Sequence, residues 1–531
     1  MRRLDQLPAL TVTISLTVAA GAAVLELAPL EHDPTAEKHQ IETMPGGVAV
    51  FDFDGDGRLD IFLTNGAVQP HLTKSDPRYW NRLYRQQPGR RFEDITEKTG
   101  VQGEGYSMGA AAADYDGDGW TDLFVAGVGR NLLYRNIGGE RFETIPFPST
   151  GWSISAGWFD YDRDGDLDLL VVNYVEYDPA AEPFCGDARA GYRTYCHPRY
   201  YQATPNALFR NDGGRFTDVS QQSGIAAHSG KGMAVAFADY DQDGWLDAVV
   251  TNDTEPNFLF RNRGDGTFEE VGMAAGVGLN DDGRALSSMG VDFRDFDNDG
   301  RPDLFITALV NETFPLFVNL GRGLFADRTY PSRVGAETMA YSGWSTGAFD
   351  FNNDGWKDLF CANGDVNDNT ERYSGRASRQ RNLLLWQQAP GVFRGEALGE
   401  PARYRGAAFG DLDGDGGIDA VVTRLGERPW IWWNNTPRRG NWLRVRAPLG
   451  AEVTVRARIH NQELTQTNNV TQAVGYASSS EPAAHFGLGD ANHAAEVTVR
   501  LVTGEYRHAS KVGAGRTVDW AELTPASLPQ R

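Results

Sequence analysis

The sequence predicts an all-β fold, a seven-bladed β-propeller followed by a small antiparallel β domain, on three observations. A nine-residue acidic phrase recurs seven times, with starts 46 to 79 residues apart, which is the mark of a repeat architecture. An apolar, β-branched run follows the last Asp of each copy, as in Asp122-Leu-Phe-Val and Asp303-Leu-Phe-Ile, and reads as a strand leaving a tight loop. Further short strands follow, joined by Gly-bearing turns such as Asn211-Asp-Gly-Gly214 and Arg263-Gly-Asp-Gly266. Four strands per unit point to propeller blades, and closing them into a ring hides the sheet edges.

The phrase itself is a metal loop by composition. Its cleanest copy runs Asp239-Tyr-Asp-Gln-Asp-Gly-Trp-Leu-Asp247. Asp at positions 1, 3 and 5 throws carboxylates to one side of the loop, Gly at 6 permits the bend, and Asp at 9 returns a fourth carboxylate. Such hard oxygen ligands suit Ca²⁺. The candidate ligands are Asp52, Asp54, Asp56 and Asp60 in the first copy, then Asp114, Asp116, Asp118 and Asp122, then Asp160, Asp162, Asp164 and Asp168. They continue with Asp239, Asp241, Asp243 and Asp247, then Asp295, Asp297, Asp299 and Asp303. The sixth copy offers Asp350, Asn352, Asp354 and Asp358, and the seventh Asp411, Asp413, Asp415 and Asp419. Position 12 is apolar or Cys in every copy, so these are not EF-hands, which need an acid there. The expected cofactor is Ca²⁺, one ion per loop. Because Asn352 removes one charge, the sixth loop is expected to bind most weakly.

The formal charge of −22 is local to these loops: without their 27 acids the remainder carries +5. That argues for bound cations rather than for a field that steers basic partners. No basic stripe or nucleic-acid motif is present, so nucleic acid is not an expected partner.

Along the chain, residues 1–30 read as a signal peptide or an N-terminal anchor. Arg2 and Arg3 precede an uncharged stretch ending in Ala19, Ala20, Ala22 and Ala23, which fits a cleaved leader; the same run is almost long enough to tether the chain to a membrane. Either way the expected location is outside the cytoplasm: secreted, periplasmic or cell-surface. Residues 31–45 read as a linker, 46–436 as the propeller and 437–531 as the β domain, with alternating strands at Glu452-Val-Thr-Val and Glu496-Val-Thr-Val. Cys185 and Cys196 lie in a polar, Tyr-rich segment and are expected to form a disulfide. Cys361, in the run Leu359-Phe-Cys-Ala362, is expected to be a buried thiol.

The repeated A-x-x-D-x-D-x-D-G-x-x-D-L-F-V, N-x-L-Y-R-N and G-x-F-x-D-V pattern resembles the FG-GAP or VCBS repeats of integrin-type propellers. Asn441-Trp-Leu-Arg-Val445, Gly475-Tyr-Ala-Ser-Ser-Ser-Glu-Pro482 and His485-Phe-Gly-Leu-Gly489 resemble the ASPIC and UnbV module. The combination is similar to the cartilage acidic protein 1 family, including UnbV-type proteins encoded with enediyne biosynthesis. His485 is read as a packed structural histidine.

In a four-stranded meander the acidic loops share one face of the ring, and the long insertions, about 66–80, 174–205 and 364–381, fall on the other. Long loops often carry function. The candidate ligand-binding residues there are Arg78, Trp80, Tyr177, Tyr195, His197, Tyr200, Arg372 and Tyr373, an aromatic and arginine set common at recognition surfaces. The expected function is an exported, monomeric binding scaffold that presents this face to a protein, glycan or small-molecule ligand. The alternative, which the UnbV likeness implies, is an enzyme or accessory protein in secondary-metabolite maturation. Its internal support is His71, His197 and His228, assigned to the same face, where three imidazoles could hold copper or zinc. No Ser-His-Asp, Walker, dinucleotide or HExxH signature occurs.

Overall fold

Seven sheets follow one another along the chain in the computed structural model, which describes residues 27–149, 151–437 and 439–527; six have four strands and the last has three. Their first strands are Val48–Phe51, Tyr106–Ala113, Ser153–Phe159, Gly232–Ala238, Val291–Arg294, Gly343–Phe349 and Tyr404–Gly410. Each lies beside the next, and the seventh returns to the first, so the sheets close a ring. Pairing within a blade is antiparallel: Val171 faces Ala156 on one side and Ala207 on the other. These inner strands do not alternate apolar and polar residues, because neighbouring blades cover both of their faces; Tyr106–Ala113 is buried throughout. Crowding near the axis explains runs of small residues such as Gly109-Ala-Ala-Ala-Ala113.

The residue that ends each third strand, Asn in the N-x-L-Y-R-N pattern, ties blade to blade. Asn136 Nδ2 donates to Phe53 O of the preceding blade (2.9 Å), Asn211 to Tyr115 O (2.8 Å), Asn262 to Tyr161 O (2.8 Å), Asn319 to Tyr240 O (2.9 Å) and Asn434 to Phe351 O (2.8 Å). Glutamine does the same in the remaining two blades. Gln387 reaches Phe296 O (3.2 Å), and Gln86 of the first blade reaches Leu412 O of the seventh (2.7 Å), which closes the circle. These amides are buried, so each bond satisfies a carbonyl that water cannot reach.

The C-terminal module is a sandwich of two sheets around Val453, Val455, Phe486, Leu488, Val497 and Val499. One sheet has five antiparallel strands. The other departs from the expected all-antiparallel domain, since Asn441–Arg446 pairs parallel with Arg516–Asp519. Between strands Gln462–Asn469 and Ala484–Gly489 the chain leaves the sandwich and enters the axis of the ring, and residues 471–480 are buried without exception. There it bonds to the inner strands of several blades. Ser479 exchanges backbone bonds with Val48 and Val50 (2.8 and 2.9 Å), Ala110 N donates to Ala477 O (3.1 Å), Gly475 N donates to Val291 O (2.8 Å), and Glu481 N donates to Phe409 O (2.9 Å). Tyr476 Oη donates to Met44 O (2.8 Å). Gly47 and Gly406 make room: a Cβ on Gly47 would sit 2.7 Å from Ala477 O, and one on Gly406 2.7 Å from Ser478 Oγ. The axis is therefore a solid core of Met108, Ile154, Met233, Met289, Trp344 and Tyr476.

Three other expectations change. Residues 27–30, read as part of the leader, belong to the folded body, with Leu27 and Leu30 buried and Leu30 N bonded to Glu427 O (3.0 Å); residues 1–26 lie outside the described residues. The supposed linker 31–45 is packed against the ring, with Ile41, Glu42 and Met44 buried, because it carries apolar side chains into the axial core. Among the described residues the seventh blade has three strands, the last Glu427–Trp432, with Trp430 and Trp432 packed against the core it shares with the sixth.

Candidate functional site

The seven acidic loops share one face, as their links around the ring require. Position 4 of one loop reaches the next: Gln242 Nε2 donates to Gly300 O (3.0 Å), Asn298 Nδ2 to Gly355 O (2.9 Å) and Asn353 Nδ2 to Gly416 O (3.0 Å), while Arg163 stacks on Trp245 with 3.8 Å to the ring centre. Within each loop the position-1 carboxylate accepts the N–H of the position-6 glycine, at 2.8 Å for Gly57 on Asp52 and 2.9 Å for Gly244 on Asp239. That glycine takes a left-handed φ, +84° at Gly57 and +95° at Gly244, which explains its presence in every copy.

Position 9 has a second task that composition does not reveal. Asp122 accepts Tyr115 N (3.1 Å) on Oδ2 and Asn136 N (2.7 Å) on Oδ1, and Asp60, Asp168, Asp247, Asp303, Asp358 and Asp419 repeat the pair. This carboxylate is a strut between loop and third strand as well as a candidate ligand. In the first four loops, oxygens of positions 1, 3 and 9 lie within 4.8 Å of one another; in the fifth, positions 1, 3 and 5 do so. Burial pushes the Asp60 carboxyl up to about 7, Asp122 to about 8 and Asp168 to about 9, with neighbouring loop acids adding to the shift. Asp54 Oδ1, Asp160 Oδ1, Asp162 Oδ1, Asp239 Oδ1 and Asp411 Oδ1 are buried acceptors with no donor. Carboxylates that crowd together, shed water and lack donors fit a divalent cation, which would supply the missing charge.

The C-terminal module sits on this face. Gly440 N donates to Asn352 O (2.9 Å), Gly489 N donates to Asn353 O (2.8 Å), and Arg444 and Arg500 lie 3.5 Å from Asp411 and Asp239. His485 is buried, as expected, with Nε2 3.2 Å from Gly416 O; burial pulls its pKa down to about 4.

At the opposite end, the lead-in and the insertions pack on one another. Lys38 pairs with Asp368 (2.6 Å), Tyr195 N donates to Asn367 Oδ1 (2.9 Å), and Asn369 Nδ2 donates to Gly191 O (3.0 Å). Cys185 and Cys196 are bonded, and Cys361 is a buried thiol pushed up by its apolar surroundings. A cavity of about 340 Å³ opens here over the axial core. Of the eight candidate ligand residues only Tyr195 and His197 line it. Tyr195 is spent on a bond to Glu42 Oε2 (2.8 Å), and His197 Nδ1 accepts Arg199 N (3.2 Å). Tyr177 packs edge-on against Trp152, Trp80 donates to Lys74 O (3.2 Å), and Arg78 lies over Tyr79. Tyr200 and Tyr373 are exposed at insert tips, and Arg372 approaches the ring of Tyr192. The three histidines have separate surroundings: His71 is exposed, His197 braces its own turn, and His228 packs against Phe258 and Phe260. Sequence reasoning missed Asp253, Glu312, Trp344 and Asp365, which also line the cavity. Asp253, Glu312 and Asp365 follow strands of three different blades, Trp344 lies in the first strand of the sixth, and they carry no shared motif, so only ring closure brings them together.

An all-β ring of acidic-loop repeats with a sandwich module threaded into its axis defines the class. The chain belongs to the FG-GAP-like repeat family, matching at residues 52–125, 114–171, 199–250, 239–306, 295–361 and 350–422, and residues 444–524 match the ASPIC and UnbV module. It is 25% identical over 480 residues to cartilage acidic protein 1 of Homo sapiens, covering 85% of this chain and 68% of that one. The Xenopus tropicalis protein of the same name is 24% identical over 483 residues, covering 85% and 70%. Among solved structures, an Agrocybe aegerita lectin that recognises non-reducing terminal N-acetylglucosamine overlaps at TM-score 0.41 with 16% identity, covering 72% of this chain and 87% of that one. A Bacillus licheniformis rhamnogalacturonan lyase overlaps at 0.39 with 12% identity, covering 73% and 71%. Neither likeness bears on what this chain binds.

Proposed function

We propose that the chain is an exported binding scaffold whose ring is held by Ca²⁺ in the seven acidic loops and whose ligand face is the end that carries the insertions. The observation behind the calcium reading is the set of buried, donorless carboxylate oxygens at positions 1 and 3 of the loops. An ion bound only by the folded state stabilises it by RT ln(1 + [Ca²⁺]/Kd), about 1 kcal/mol per site at millimolar affinity. The C-terminal module docks on the loop face and its segment fills the axis, while the insert end presents a concave surface of its own. The disulfide fits an oxidising compartment, and the family likeness to cartilage acidic protein 1 accords with a binding role rather than with chemistry. Elemental analysis of purified protein, with melting curves before and after EDTA, tests this. Calcium near seven equivalents and a large downward shift are expected; a calcium-free protein with an unmoved curve overturns the reading.

A further inference from the structure

The cavity over the axial core has a lopsided charge. Asp253 is 4% exposed; its Oδ2 accepts from Tyr174 Oη (2.9 Å), and its Oδ1 accepts no hydrogen bond. Glu312 stands in the same cavity, held in place by Ser287 N (3.0 Å), Ser287 Oγ (3.2 Å) and Leu309 N (3.2 Å), all neutral donors. Two of the cations nearby are engaged elsewhere: Lys231 pairs with Glu255 at 2.5 Å, and Arg405 is buried under Trp344 with its guanidinium bonded to the carbonyls of Thr43, Tyr404 and Asp365. A third, the exposed Arg376, lines the cavity and acts on Asp365. Neither carboxylate has a bonded cation, and Asp253, the buried one of the two, keeps an empty acceptor site, which is costly for a buried charge. Met44, Met289, Leu309, Val310 and Trp344 give the wall an apolar stretch, beside polar groups that include Gln40, Thr43, Ser342, Asp365, Asn367 and Arg376. Burial, with Glu312 adding to it, pushes the Asp253 carboxyl up to about 7 against the opposing pull of Tyr174 and Lys231. The larger recess of about 710 Å³ between ring and C-terminal module contrasts with this, because three of its acids, Asp52, Asp114 and Asp160, are those of the acidic loops and the fourth, Glu481, pairs with Arg444 (3.2 Å).

We propose that this cavity binds an alkylammonium group, its –NH₃⁺ seated between Asp253 and Glu312 and its methylene stem along Met289, Leu309 and Trp344. An ammonium supplies three donors to carboxylates in need of them, and its stem covers apolar surface. The same chemistry comes from a free diamine or from a lysine side chain of a partner protein. The proposal rests on the reading of the insert end as the ligand face; it does not depend on which ion fills the loops.

Calorimetric titration of the calcium-loaded full chain at pH 8 with n-butylammonium, 1,5-diaminopentane, Nα-acetyl-lysine amide and n-butanol tests it. Binding of the amines without binding of butanol is expected, and a preference between the diamine and the lysine amide identifies the source. Asp253→Asn is expected to weaken amine binding about tenfold or more and Glu312→Gln by a smaller factor, with the EDTA-dependent melting shift of each variant unchanged. Should Asp253→Asn fail to fold, Glu312→Gln alone carries the test. Equal binding of butanol, absence of amine binding, or unaltered affinity in the folded variants overturns the assignment, whatever the chelation experiment has shown.

Discussion

The two ends of the ring are built on opposite principles. At the loop end one nine-residue solution recurs in seven blades, the position-9 carboxylate doing the same work in each copy. At the insert end no two blades agree, and the cavity draws its walls from the lead-in, the long insertion of the third blade and strand ends of the fourth, fifth and sixth. Repetition serves cohesion there, because identical struts and amide ties join each blade to its neighbour. Irregularity at the other end suits the recognition role proposed for it, because a ligand site needs different groups converging on one point. The C-terminal module reinforces the contrast, since it docks on the uniform end through Gly440 N to Asn352 O and Gly489 N to Asn353 O.

Chelation should separate the ends most strongly. Removing cations with EDTA is expected to cost about 5 kcal/mol or more, read as a fall in melting temperature, with hydrogen exchange rising first in the loops; faster exchange at the insert end alone would reverse the comparison. Next in size, Asn262→Ala removes the ties to Tyr161 O (2.8 Å) and Leu246 O (3.2 Å) and is expected to cost about 3 kcal/mol. Asn367→Ala, at the insert end, loses only the bond from Tyr195 N and is expected to cost about 1 kcal/mol by urea denaturation. Similar values for the two would show that the ring ties are not special.

The cavity carries its own pH signature. Asp253 titrates near 7 in the fold, above the ordinary carboxylate range, so its protonated form is the one the folded state prefers. Its contribution is complete below about pH 4 and is lost as pH rises through about 7, an effect of about 4 kcal/mol. Melting temperatures should therefore fall from pH 5 to pH 8, and Asp253→Asn should flatten that part of the profile; an unchanged slope would assign the titration elsewhere. Replacing Cys185 and Cys196 by Ser releases a loop with a sequence separation of 11 and should leave global melting within about 1 °C, since the insert can open by itself, while proteolysis within 174–205 accelerates. Smallest of all, the sixth loop should fill last in a calcium titration. There Asn352 turns its Nδ2 to Asp354 Oδ2 (3.0 Å), and the buried ammonium of Lys357 faces Asp350 and Asp295. Asn352→Asp should raise that site's affinity about tenfold, and a sixth site that fills first would contradict the charge argument.

Most of the ring was legible in the sequence because its rule is local. Spacing of Asp and Gly within nine residues dictates the loop, and the run after it dictates the strand. The Asn at the end of the third strand was visible as a repeated letter, yet its partner is a carbonyl one blade away, for example 101 residues away for Asn262 and Tyr161. Such a tie emerges only from closure. Tyr195 looked like a ligand residue because it is aromatic and sits in an insertion, but burial against Glu42 uses its hydroxyl for packing. Asp253 and Glu312 gave no signal, since an acid in a loop is ordinary until its surroundings exclude water. The Gly475-Tyr-Ala-Ser-Ser-Ser480 stretch was recognised as part of a module, but its small residues are explained by the space available between the inner strands.

That stretch also governs the order in which the protein can be completed. A chain is made from its N-terminus, so all seven blades exist before the residues that fill their common axis, and until then Met108, Ile154, Met233 and Trp344 line a hollow. A premature stop after the last blade would yield a ring with a wet, apolar bore rather than a smaller finished protein. The final module is in this sense the keystone, laid after the arch and necessary to it.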